Sequence, residues 1–187
     1  MYLIFRITTY RQVIITLLLS LQAMSVYAGD GEETNVQAER YRQAGHPATT
    51  SEMFDDLSLD KDASIRKRVA SNRKTPKNIL HRLAHDSDQS VKIAVATNLS
   101  APDDVYLILS LDSMQAVRSV VARFEYVPVV ALEILAKDKD VDIRLEVARN
   151  LNTTKEILMQ LTGDSNTSVS AIAEQALQRL NEEQKHQ

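Results

Sequence analysis

The chain has 187 residues, no Cys, no Trp and a net charge of −3. Without Cys it has no disulfide, thiolate zinc site, iron–sulfur cluster, Cys nucleophile or lipid-modified Cys. Residues 1–28 carry only Arg6 and Arg11, leaving 20 basic against 25 acidic groups beyond them, and that balance sets aside a general nucleic-acid binder.

Arg6 and Arg11 precede an apolar run from Val13 to Leu21, and Ser25-Val26-Tyr27-Ala28 offers small residues at the −3 and −1 positions of a cleavage site. Residues 1–28 therefore read as a Sec-type signal peptide cleaved after Ala28, which makes the protein periplasmic or secreted. The run is short for a bilayer span of about 20 apolar residues. Retention as an anchor is the alternative, since the stretch from Tyr2 is also fairly apolar. Export argues against a chromosomal DNA partner. Residues 29–48 are polar, with Gly29, Gly31, Gly45 and Pro47, and read as a flexible lead-in with one helical turn around Ala38 to Ala44.

From Thr49 the chain repeats itself. Asp60, Asp86, Asp112, Asp138 and Asp164 fall 26 residues apart, and four full units align between them. Such a period indicates stacked small units sharing one core. Thr49–Asp60 matches only the second half of a unit, and Ser168–Leu180 only the first half; these are caps for an open stack. Residues 181–187 form a polar tail.

Each unit reads as two short helices. In the first, Ile65, Val69 and Ala70 recur as Val91, Val95, Ala96, as Val117, Val121, Ala122, and as Ile143, Val147, Ala148. Spacings of four and five put them on one helical face. In the second, Ile79, Leu80 and Leu83 recur as Val105, Tyr106, Leu109, as Ala131, Leu132, Leu135, and as Ile157, Leu158, Leu161. Asn72, Asn98 and Asn150 lie where a left-handed residue ends the first helix. Pro76, Pro102 and Pro128 suit the first turn of the second helix. Thr49 with Glu52 and Thr153 with Glu156 have capping-box spacing. These patterns give an all-α chain, a right-handed α-solenoid of 26-residue two-helix repeats over residues 49–180.

The run Val69-Ala70-Ser71-Asn72-Arg73-Lys74-Thr75-Pro76 resembles the variant leucine-rich repeat of bacterial proteins. Asp112 with Val117-Arg118, and Asp138 with Ile143-Arg144, also resemble a HEAT repeat. The likeness covers about Thr49 to Leu180 and implies a scaffold for protein–protein contacts. The unit here is slightly longer than the usual variant repeat. The Cys cluster that holds an iron–sulfur centre in the founding example has no counterpart, so no cofactor is carried over.

Four features are candidate sites. The Asp column and the basic column of Arg66, Lys92, Arg118 and Arg144 form either a binding stripe or a structural ladder that satisfies turn backbone. The third unit breaks the Asn column at Phe124, followed by Glu125 and Tyr126. Exposed aromatics beside Arg suit a binding hot spot, which makes Phe124, Tyr126, Arg118 and Arg123 the partner-binding candidates. The alternative there is a Phe124 folded inward with Tyr126 over it. The first unit is basic, and Arg66, Lys67, Arg73, Lys74 and Lys77 are candidates for an anionic glycan or lipid head group, or simply a solvated face. His81 and His85, four apart, share a helix face but lack a third ligand and a catalytic Glu, so no metal site is assigned.

No nucleophile elbow, phosphate loop, dinucleotide fingerprint or Ser–His–Asp set is present. A HEAT-like glycosylase would need a basic cleft and a cytoplasmic location. The expectation is therefore an exported, non-enzymatic scaffold binding a protein partner in the cell envelope. The alternative is a peripheral binder of anionic glycan or lipid; nucleic acid is excluded in both.

Overall fold

The computed structural model describes residues 34–185, with side chains to residue 182, and all the elements described there are helices. The signal peptide and its cleavage after Ala28 lie outside the described residues. The chain divides into two compact units, Met1–Arg42 and Gln43–Gln187.

Helix α1 covers residues 34–44. It replaces the single turn expected in the lead-in. On it Glu39 and Arg42 form an i,i+3 ion pair at 2.6 Å, which adds about 0.2–0.5 kcal/mol to the helix.

The second unit holds ten helices among its described residues: α2 (Ser51–Leu57), α3 (Ala63–Ser71), α4 (Lys77–Leu83), α5 (Gln89–Ala96), α6 (Asp103–Ser110), α7 (Gln115–Arg123), α8 (Val129–Leu135), α9 (Val141–Arg149), α10 (Lys155–Leu161) and α11 (Thr167–Lys185). First helices pack on first helices, α3 on α5, α5 on α7, α7 on α9 and α9 on α11, while each second helix packs against its own unit's first. At one end α2 lies on α3, and at the other α11 covers both α9 and α10.

The apolar columns fill the core. All twelve first-helix positions, from Ile65 to Ala148, have no exposed surface. Their second-helix counterparts from Ile79 to Leu161 are also buried. Each fully buried Leu, Ile or Val contributes about 1.5–3 kcal/mol. A helix of seven to nine residues is marginal alone, so this packing is what holds it.

The ends of the helices depart from expectation in three ways. No described non-Gly residue has positive φ, and Asn72 and Asn150 end α3 and α9 in extended conformation, at φ −77°, ψ 122° and φ −69°, ψ 129°. Their amides bond to a neighbouring turn, described below, and that holds the chain extended. The Thr caps sit one residue later than capping-box spacing suggests: Thr50 accepts from the Met53 N–H and Thr154 from the Ile157 N–H. Thr153 instead turns inward, its hydroxyl donating to the Val147 carbonyl at 2.5 Å, as Thr75 does to Val69 at 2.6 Å. Glu52 and Glu156 remain in the first turns, where the local N–H groups and the Thr hydroxyls hold both carboxyls below their ordinary values. The three Pro residues occupy the N-cap position itself.

Candidate functional site

Two kinds of turn alternate along the stack, and both are stitched across units. At the turns that follow second helices, each Asp of the column accepts from a backbone N–H two residues on. The donors are Asp62, Asp88, Met114, Asp140 and Asn166, at 2.8–2.9 Å. The basic column supplies the rungs. Arg66 clasps Asp86 through Nε at 2.7 Å and Nη2 at 2.9 Å, while its Nη1 donates to the Asp60 carbonyl at 2.7 Å. Arg118 does the same with Asp138 and the Asp112 carbonyl, and Arg144 with Asp164 and the Asp138 carbonyl. Lys92 reaches Asp112 at 2.5 Å with a single ammonium, which has no second arm for the Asp86 carbonyl.

Burial alone would raise Asp86 and Asp138. The bonds from Arg66 and Arg118, the backbone N–H groups and the guanidinium charges outweigh it and bring both carboxyls below their ordinary value. At Asp164 the Arg144 hydrogen bond is the largest effect, and it too lowers the carboxyl. The three guanidinium groups are raised in turn by the same hydrogen bonds. Both columns are thus structural ladders.

The turns between the two helices of a unit, at 72–76, 98–102, 124–128 and 150–154 (turns one to four), are joined by Asn. The Asn98 amide donates to the Ala70 and Asn72 carbonyls at 2.6 and 3.0 Å, and Asn150 to Ala122 and Phe124 at 2.7 and 3.0 Å. Asn72 bonds in the same way to Ala44 and His46. Ser100 adds a bond to the Arg73 carbonyl at 2.7 Å, and Asn152 one to Val127 at 3.2 Å.

Phe124 occupies the missing Asn position. It packs half-buried against the core and stacks on Tyr106, with ring centroids 5.8 Å apart and 16° between planes. The Tyr106 hydroxyl donates to the Asn98 carbonyl at 3.4 Å, the acceptor that an Asn at 124 would have served. Burial, with the charge of Asp103, pushes the Tyr106 phenol up to about 12, so it stays a donor. The break in the column is an aromatic rung that replaces an amide one.

These contacts separate the residues singled out in the sequence. Arg118 is only 6% exposed and engaged with Asp138, so it is withdrawn from any partner. Phe124 folds inward. Tyr126 meets its edge at 5.8 Å and remains 62% exposed, and Arg123 is exposed beside them. Of the basic set, Arg66 is consumed by Asp86, whereas Lys67, Arg73, Lys74 and Lys77 stand exposed with no side-chain ion pair among the described residues. Arg82 pairs with Asp55 at 3.1 Å and Ser58, and the Arg68 guanidinium lies directly over Gly45. His81 and His85 have ring centroids 5.9 Å apart, and His81 faces Asp104 at 3.5 Å. Among the described residues no three metal-ligating side chains converge.

Sequence reasoning missed the aliphatic companions of Tyr126. Leu99 and Leu151 follow Asn98 and Asn150 directly and are 50% and 70% exposed. Val129 and Val130 open α8 and are exposed as well. Reading the position after each Asn-column residue down the units, as Arg73, Leu99, Glu125 and Leu151, would have found them.

No family model and no curated protein matches the chain. A solved structure described as a leucine-rich repeat variant with a novel repetitive protein structural motif is similar to it, with a TM-score of 0.56 and 24% identity over 70% of this chain. The match spans 52% of that protein, about half its length. The fold of this chain is that of a leucine-rich repeat variant.

Proposed function

We propose that the protein is an exported, non-enzymatic scaffold, a right-handed α-solenoid of 26-residue two-helix units, that binds a protein partner in the cell envelope along the edge formed by turns one to four. One observation carries this reading: Leu99, Tyr126, Val129, Val130 and Leu151 stand exposed on or beside turns two to four, where amide bonds tie turn two to turn one and turn four to turn three and the Phe124–Tyr106 stack lies between turns two and three. A rigid row of apolar side chains loses little entropy on binding, which concentrates affinity in a few anchors. The docking residues are thus Tyr126 with its aliphatic neighbours and Arg123; Phe124 supports them from beneath.

The test is a crosslinking pull-down from envelope extract, comparing wild type, Tyr126→Asp/Leu151→Asp, and Leu111→Asp on the opposite edge. A partner held by wild type and Leu111→Asp but lost with the double substitution is the expected result. The loss should exceed about 2 kcal/mol if these are hot spots. Retention by the double substitution would overturn the placement.

A second reading draws on the unpaired cations Lys67, Arg73, Lys74 and Lys77, which suit an anionic glycan or lipid head group. Its mark is affinity that falls steeply with salt and disappears in Arg73→Glu/Lys74→Glu.

A further inference from the structure

Resting on the docking edge just described, the order of side chains along it gives the chemistry of what it binds. Turn one presents Arg73 and Lys74, with Lys77 at the start of α4. Turn two presents Leu99, turn three Tyr126 with Val129 and Val130, and turn four Leu151. Exposed cations are thus densest at turn one, with Arg123 and Lys155 single ones further along, and the exposed apolar side chains stand over turns two to four. The turn-one cations have no ion-pair partner among the described residues, while Lys155, further along, donates a hydrogen bond to the neutral Asn181 amide at 3.0 Å.

Spacing adds a second constraint. Packed helices lie about 8–10 Å apart, so successive turns do as well. A polyproline II segment advances about 9 Å in each three-residue turn. Such a segment offers one side chain to each turn, and about ten residues cover all four.

We propose that the edge holds an extended segment of the partner protein, about ten residues long, with acidic residues over turn one and aliphatic or aromatic residues at three-residue spacing over turns two to four. An anionic bilayer fits less well. Asp103, Glu125 and Glu156 stand exposed among the apolar side chains, where a plane of negative head groups would be repelled. A peptide passes between them, because only every third side chain faces the edge.

The experiment is selection of a random dodecapeptide library, displayed on phage, against the full chain. Selections on Arg73→Glu/Lys74→Glu and on Tyr126→Asp/Leu151→Asp run in parallel. Wild type should enrich sequences with an acidic end followed by apolar residues three apart, binding the synthetic peptide at least tenfold more tightly than its scrambled isomer. The charge-reversed chain should lose the acidic end from its selected sequences, and the Asp-substituted chain should lose the apolar spacing. Enrichment of sequences with neither feature, or equal binding of the scrambled isomer, would overturn the proposal. So would failure to enrich any peptide. If that happens while the pull-down partner still depends on Tyr126 and Leu151, only the peptide chemistry falls and the docking edge stands. Sedimentation with phosphatidylglycerol vesicles that is abolished by Arg73→Glu/Lys74→Glu would make the bilayer the occupant and likewise refute the peptide.

Discussion

The two edges of the stack solve one problem with different chemistry. Both must satisfy the backbone of sharp turns between packed helices. The Asp edge does so with charge, through three bidentate Arg–Asp clasps and one Lys–Asp pair, almost all sequestered from water. The Asn edge does so with neutral amides that each bridge two carbonyls of the preceding unit. Both leave flanking residues in solvent: Leu59 and Leu111 stand exposed just before Asp60 and Asp112, and Leu99 and Leu151 just after Asn98 and Asn150. The difference lies in what stands between them, because on the Asn edge Tyr126, Val129 and Val130 are exposed between the two Leu residues.

Acid should separate the edges most sharply. Asp86, Asp138 and Asp164 are lowered from the ordinary value of 3.8. A depressed carboxyl contributes stability that is fully present above its unfolded value and is lost as pH falls through the folded one. Melting temperature followed down from neutral pH should therefore fall once pH drops below about 4. In Arg144→Leu, which removes one clasp, that acid-dependent part should shrink; an unchanged profile would break the comparison.

Single rungs come next. Arg118→Leu leaves the Asp138 carboxylate buried without its cationic partner, holding only the Asp140 N–H, so it should cost about 3–5 kcal/mol in urea unfolding. Asn150→Ala leaves two carbonyls short of a donor and should cost about 1–3 kcal/mol. If the two losses were equal, the charged and neutral edges would be interchangeable in energy. Met114 stands where Asp62, Asp88 and Asp140 cap their helices, and it makes no side-chain cap. Met114→Asp should therefore add about 1 kcal/mol. Smallest is Tyr106→Phe, which removes one long bond to a carbonyl that also accepts from the Ala101 N–H. It should cost under about 1 kcal/mol, and a larger loss would mean the aromatic rung matters as much as an amide.

Most of the fold is legible in the spacing of apolar residues, because burial of Ile65, Leu80 and their counterparts follows from helical period and repeat register alone. The positions of Asn72, Asn98 and Asn150 are legible too, but their role is not. A left-handed cap is the local option for Asn, and the two carbonyls that hold it extended lie 26 and 28 residues back. Arg118 misleads in the same way. In sequence it neighbours the aromatics, while in space it belongs to the opposite edge with Asp138. Phe124 marks a real irregularity, yet its explanation requires Tyr106, which reads as an ordinary core residue until its hydroxyl is seen against Asn98. Leu99 and Leu151 escaped notice because a single exposed Leu is unremarkable; they become significant only when the turns are seen as one line.

The ladders also govern how this chain can change in length. Every Arg clasp closes on an Asp twenty positions ahead, and every Asn amide reaches two fixed distances behind. An insertion of one or two residues inside a helix pair would pull a carboxylate or an amide off its rung on both edges at once. Removing or duplicating a whole period returns each group to an equivalent partner. Growth and loss by entire units are therefore the length changes that both edges tolerate, and a longer or shorter stack is one recombination event away.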